Sequence, residues 1–196
     1  MITSMCNSYE HTIVITNRHL VQGDFLKQLE KVTKLHPHAL ILREKDLTDD
    51  AYESLAKKVF DLCEREDITF FLHTKIEIAR KIGCQNIHLS IPVLKGLSET
   101  EKKALTEDFC EISISCHSME DVEIAMAGGA TQIILGTIFE TECKKGVLGK
   151  GVEFVREICQ KCPLPVYAIG GMNLQRLHLV IDAGAAGCCM MSGFMQ

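Results

Sequence analysis

The chain has 196 residues, 46% of them hydrophobic, with 21 Lys and Arg against 26 Asp and Glu for a formal charge of −5. That length predicts one domain over 1–196, and the apolar content is enough for a single large core and excludes a disordered chain. The acidic balance, with no dense basic stripe, argues against nucleic acid as a partner. No run approaches the ~18 apolar residues of a membrane span, and Met1 to Thr12 lacks the apolar core of a secretory signal, so no membrane partner and a cytoplasmic location are expected.

Along the chain, short apolar runs alternate with stretches of helical period. The first strand is predicted over Thr12–Thr16, then a helix with Phe25, Leu29 and Val32 on one face and Asp24 as its N-cap. Ala39–Arg43 reads as the second strand, followed by a helix carrying Leu55, Val59 and Leu62 behind Thr48. Strands over Thr69–His73, Asn86–Ser90 and Glu111–Ser115 come next. Ser118-Met119-Glu120-Asp121 is a capping signal for a helix with Val122, Ala125 and Met126. The last strands are Thr131–Gly136, Pro165–Ile169 and Ala186–Met191, with Leu174, Leu177 and Ile181 marking the helix between the final two.

Ala39-Leu40-Ile41-Leu42 and Gln132-Ile133-Ile134-Leu135 are apolar on both faces, as strands covered on each side of a parallel sheet must be. That leaves a barrel or a doubly wound sheet. Eight βα units in one domain favour the α/β (β/α)8 TIM barrel. Few residues follow the eighth strand, so the eighth helix is expected to be short or missing. An uncovered flank there would be apolar and would favour a homodimer.

The 10 cysteines lie among apolar segments, as with Cys63, Cys84, Cys110, Cys116, Cys188 and Cys189. Buried thiols of a reducing compartment fit this better than a disulfide framework. Cys159 and Cys162 form a C-x-x-C in the last turn of a predicted helix before Pro163, without a second pair at zinc-finger spacing, so no metal ligands are assigned.

In a barrel the C-terminal ends of the strands face the active site. Here they read Arg43-Glu44-Lys45, His73-Thr74-Lys75, His88-Leu89-Ser90, Ser115-Cys116-His117-Ser118, Gly170-Gly171 and Met191-Ser192-Gly193, with a long polar loop from Gly136 to Gly146 after strand six. Backbone N–H groups after strands seven and eight commonly cradle phosphate, and glycine lets the backbone approach an anion, so Gly171, Met191 and Ser192 point to a phosphorylated small molecule. Arg43, Lys45 and Lys144 strengthen that reading, since three cations at one mouth of an acidic chain call for an anion. His117 is the acid–base candidate, because imidazole both takes and returns a proton near neutral pH. His73 and His88 are weaker candidates. His88 alternates with Ile87 and Leu89 and reads as a satisfied inward-facing residue.

At these residues the sequence resembles the thiamin phosphate synthase and TenI superfamily of (β/α)8 barrels. The resemblance runs through Ile15-Thr16-Asn17-Arg18, Leu42-Arg43-Glu44-Lys45, Asn86-Ile87-His88-Leu89, Ser115-Cys116-His117-Ser118, the Phe139 to Gly146 loop, Ala168-Ile169-Gly170-Gly171-Met172 and Met191-Ser192-Gly193. Synthases of this superfamily join a pyrimidine pyrophosphate to a thiazole phosphate with Mg²⁺, held by aspartates of an Asn-Asp pair after strand three and a Gly-Gln-x-Asp run after strand four. Here those positions read His73-Thr74 and Ser90-Ile91-Pro92-Val93, while Ile41 replaces a strand-two glutamine and Cys143 a loop threonine. The TenI branch, which includes thiazole tautomerases, uses no metal. Its Phe-Glu-Thr-Asp-Cys-Lys-Lys-Gly pattern is close to Phe139-Glu140-Thr141-Glu142-Cys143-Lys144-Lys145-Gly146.

The resemblance therefore implies an isomerase without cofactor, aromatising a carboxylated thiazole phosphate tautomer in thiamin biosynthesis. His117 would be catalytic, Arg43 and Lys45 would hold the carboxylate, Thr141 and Lys144 of the loop would bind the substrate, and Gly171, Met191 and Ser192 would hold the phosphate. Two alternatives stay open: a Mg²⁺-dependent thiamin phosphate synthase with a rearranged metal site, and a thiazole- or thiamin-phosphate-binding regulatory protein without catalysis.

Overall fold

The structure, a computed structural model, describes residues 8–141, 146 and 148–196. Its strands are β1 (Thr12–Ile15), β2 (Ala39–Leu42), β3 (Thr69–His73), β4 (Asn86–Ser90), β5 (Glu111–Cys116), β6 (Gln132–Leu135), β7 (Val166–Ala168) and β8 (Gly187–Met190). All pair in parallel, in chain order, and β8 closes on β1 with Ile13 opposite Cys189. The helices are α1 (Phe25–Thr33), α2 (Asp49–Arg65), α3 (Ile76–Ile82), α4 (Ile91–Gly96), α5 (Glu99–Asp108), α6 (Met119–Ala127), α7 (Gly151–Lys161), α8 (Leu174–Ile181) and α9 (Ser192–Met195). The expected TIM-type barrel is what forms, with strand ends within two residues of those read from the sequence.

Period-two alternation explains why the strands look apolar throughout. Ala39 and Ile41 join Ile13, Ile15, Phe71, Ile134, Tyr167 and Cys189 in one cluster that fills the ring. Leu40 and Leu42 belong to the larger cluster shared with the helices. The expected caps are present: Asp24 accepts the Lys27 N–H, Thr48 the Ala51 N–H and Ser118 the Asp121 N–H. One apolar face differs from expectation. In α8 the buried side chains are Leu177 and Val180, and Ile181 is 37% exposed, because the stripe that meets the sheet passes one residue earlier at the helix end. Among the described residues no helix is long and apolar enough to cross a membrane. The eight described cysteines are free thiols; Cys110 alone among them is exposed, against expectation, because it sits in the turn before β5.

The last helix, α9, has four residues, and the flank beside it is nonetheless covered within the chain. Tyr9 and Phe194 bring their rings to 6.0 Å, and Gln28 Nε2 donates to Phe194 O at 2.7 Å. All residues of β1 and β8 are buried, so the apolar strip expected on that side is not exposed. Gly187 permits this closure: a Cβ there would lie 2.0 Å from His11 O.

The filling of the ring is polar between β4 and β5. His88 is 4% exposed, with Nδ1 at 2.9 Å from Ser113 Oγ and Nε2 at 2.8 Å from Ser115 Oγ. It is the satisfied inward-facing histidine expected. Burial pushes His88 down to about 3, and burial, with Arg43, Lys45 and Lys75 nearby, pushes His73 down to about 4. The two rings lie 5.7 Å apart.

Two outcomes follow from this packing. Gly187→Ala forces a methyl group into backbone and should cost about 1–3 kcal/mol or more in urea unfolding; unchanged stability would contradict the close approach. His73 and His88 have folded values below the ordinary 6.5, so the unfolded chain binds more protons than the native one under mild acid. Their contribution is fully present above about pH 6.5 and is lost as pH falls toward 3–4. Unfolding curves at pH 7 and pH 4.5 should show the wild type losing more stability than His88→Asn over that interval. Equal losses would remove His88 as a cause.

Candidate active site

The C-terminal mouth is assembled from the ends of β2, β3, β5, β6, β7 and β8. At the β2 end, Glu44 is 2% exposed and acts as an anchor. It accepts the Thr16 hydroxyl at 2.7 Å, the Arg18 N–H at 3.1 Å and Arg18 Nη1 at 3.1 Å. Thr16 Oγ1 in turn accepts the Arg43 N–H at 2.9 Å, which fixes where Arg43 leaves the sheet. Arg18 and His19 occupy Asp46, and the Arg18 guanidinium holds that carboxyl well below the usual carboxylate range.

The acids of this rim are thus engaged, whereas among the described residues no carboxylate pairs with Arg43 or Lys45. Lys45 is pushed below its ordinary value, chiefly by the charge of Arg43 and then by burial. Two cations so close, without an acidic partner, leave a positive rim at this end of the barrel. Beside them Lys75 pairs with Asp49 at 2.5 Å. Tyr52 ties β2 to β3 by donating to Leu42 O at 2.6 Å and accepting the His73 N–H.

His117 follows β5 directly. Its backbone N–H donates to Asp121 Oδ2 at 2.7 Å, and Lys150 Nζ donates to its carbonyl oxygen. Its ring Nδ1 lies 2.8 Å from Gly136 O at the end of β6. A carbonyl oxygen only accepts, so Nδ1 carries a proton and Nε2 is the ring nitrogen left for proton exchange. The residue as a whole is exposed.

The loop after β6 is zipped at its root. Ile138 N–H donates to Ile169 O at 2.9 Å, Phe139 N–H to Gly170 O at 3.0 Å and Lys150 N–H to Thr137 O at 3.0 Å. This holds Phe139 to Thr141 beside the turn after β7. Lys144, assigned to the same loop from the sequence, lies outside the described residues. Gly170 and Gly171 have φ of +101° and +61°, the left-handed region that favours glycine. A Cβ on Gly171 would sit 2.5 Å from Glu140 O. Met191 and Ser192 follow β8, with Met191 packed on the apolar filling of the ring and Ser192 opening α9.

The sequence candidates therefore distribute around one mouth: Arg43 and Lys45 at β2, His117 at β5, Thr141 after β6, Gly171 after β7, Met191 and Ser192 after β8. Three contributors were not among them. Glu44 was legible only as the middle of Arg43-Glu44-Lys45. Lys150 lies 33 residues from the carbonyl it reaches. Arg176 donates to Gly171 O, and its one sequence signal is a cation in the first turn of a helix, where acids are preferred.

A family described as thiamine monophosphate synthase matches residues 12–194. The putative thiamine-phosphate synthase 2 of Aquifex aeolicus (strain VF5) is 29% identical over 182 residues, covering 93% of this chain and 96% of its own length. The thiamine-phosphate synthase of Coprothermobacter proteolyticus is 30% identical over 184 residues, covering 93% and 86%. Among solved structures, the thiamine phosphate pyrophosphorylase of Pyrococcus furiosus superimposes with a TM-score of 0.80 at 22% identity, covering 95% of this chain and 87% of that one, which bears on the fold alone. Matched over nearly all of its length, the chain belongs to the thiamine monophosphate synthase family, a (β/α)8-barrel family of thiamin biosynthesis.

Proposed function

We propose that the protein is a thiazole tautomerase-type isomerase that aromatises a carboxylated thiazole phosphate tautomer. The observation that carries this reading is the placement of the His117 ring: with Nδ1–H committed to Gly136 O, Nε2 is the nitrogen left to exchange a proton with a ligand. In the reaction Nε2 takes the acidic ring C2 proton, and the resulting imidazolium helps deliver a proton to the exocyclic carbon. The ring becomes aromatic and the imidazole returns to its starting state. Arg43 and Lys45 hold the carboxylate, N–H groups at Gly171, Met191 and Ser192 hold the phosphate, and Thr141 and Lys144 contribute to binding the substrate. The demand is modest, since aromaticity drives the product and one positioned acid–base group is worth about 10²–10⁴ in rate.

A second reading, thiamin phosphate synthase, is favoured by the names of the relatives. That chemistry uses Mg²⁺, which takes hard oxygen ligands, above all carboxylates. The donor set at the β3 and β4 ends does not fit such an ion. His73 ends β3 and Thr74 follows it, Ser90 ends β4 and Ile91 to Val93 follow it, and the nearby acids Glu44, Asp46 and Asp49 are paired with Arg18, His19 and Lys75. No step is therefore drawn through a divalent ion.

His117→Ala should lower kcat for tautomer conversion by about 10²–10⁴ while leaving affinity for the phosphorylated ligand within a few fold, read by stopped assay and calorimetry. Unchanged turnover removes His117 from the chemistry. Incubating the wild type with the pyrimidine pyrophosphate, the thiazole phosphate and Mg²⁺ should yield no thiamin phosphate, and EDTA should leave the tautomer conversion unaffected. Steady formation of thiamin phosphate would establish the synthase instead, and binding without either conversion would establish a regulatory protein.

A further inference from the structure

We propose that Arg176 is a positioning residue for the phosphate turn, bracing Gly170-Gly171 against the loop after β6; the proposal rests on the phosphate reading of that turn. Arg176 lies in the first turn of α8, where the Asn173 side chain accepts its backbone N–H. The positive end of a helix disfavours a cation, and among the described residues no carboxylate compensates it. Its guanidinium is spent differently. Nη1 donates to Gly171 O at 2.5 Å, and the guanidinium carbon stands 4.7 Å from the centre of the Phe139 ring.

One planar group thus grips both walls of the mouth at once. Gly170 and Gly171 need such a brace, because glycine has more backbone conformations to escape into than any other residue. Gly171 already packs so closely on Phe139 and Glu140 that an added Cβ would meet their atoms at 2.8 and 2.5 Å. Turn and loop therefore move together or not at all. The Arg176 charge, unbalanced by any described acid, adds attraction for an anion arriving at that turn. Lysine cannot replace it, since an ammonium lacks the planar fork that lies on a ring while donating to a carbonyl.

The test titrates inorganic phosphate into the full chain by NMR for wild type, Arg176→Ala, Arg176→Lys and Phe139→Leu, and measures amide exchange at residues 170–172 in the free proteins. Arg176→Ala and Arg176→Lys should each weaken phosphate by about tenfold, and Phe139→Leu by about threefold. Exchange at the turn should speed by about tenfold in Arg176→Ala with thermal stability little changed. Wild-type affinity in Arg176→Lys would reduce the residue to its charge and overturn the brace, as would unaltered exchange in Arg176→Ala. A wild type that binds no phosphate at all overturns the phosphate reading itself, which separates the two failures.

Discussion

Closure of eight parallel strands on themselves governs what every other part of the molecule is free to do. Each strand pairs on both sides, from β1 with β2 round to β8 with β1, so no edge is left and both faces of the sheet are covered. A charge in the middle of a strand would be stripped of water with nothing to replace it. Charged side chains are accordingly driven to the strand ends. Among the polar side chains inside the ring, His88, Ser113 and Ser115 satisfy one another, and His88 stays neutral because ionisation there would be uncompensated, whereas the buried Gln132 Nε2 has no hydrogen-bond partner among the described residues.

The mouth that results is electrically asymmetric in a chain that is acidic as a whole. Glu44 and Asp46 are held by Arg18, Thr16 and His19, which turns potential anion-repelling groups into struts. Arg43 and Lys45, at the same end, have no such partners among the described residues. Around the ring, the glycine turn after β7 and the end of β8 offer backbone donors, and His117 after β5 offers a base. Under the proposed isomerase reading, such a distribution would serve a small ligand with an acidic group at either end. The chain belongs to a synthase family, and the proposed reading departs from that family's chemistry only at a few side chains at the ends of β3 and β4, not in the fold.

Much of this was legible before any coordinates. Both faces of Ala39-Leu40-Ile41-Leu42 are apolar because both are buried, and Asp24, Thr48 and Ser118 cap helices because their short side chains reach the third N–H. Ile181 shows the limit of such patterns: spacing alone admits it to the apolar face, but the orientation of an eight-residue helix on the sheet selects Val180. Likewise a short final helix suggested an open flank, and only the path of the chain from Ser8 to His11 over Gly187, with Tyr9 on Phe194, reveals that it is closed.

What the sequence determined by itself was the order of βα units, the barrel they form and the strand ends at which its mouth lies, because these depend on local periodicity and on burial of whole strands. What tertiary structure alone decided was which partners those residues take. Gly136 O selects the protonated nitrogen of His117, Thr16 and Glu44 aim Arg43, and Arg176 reaches back to the Gly171 carbonyl. Such hydrogen bonds join strand ends far apart in the chain, and a contact that depends on ångström-scale closure of the ring leaves no periodic trace in the sequence.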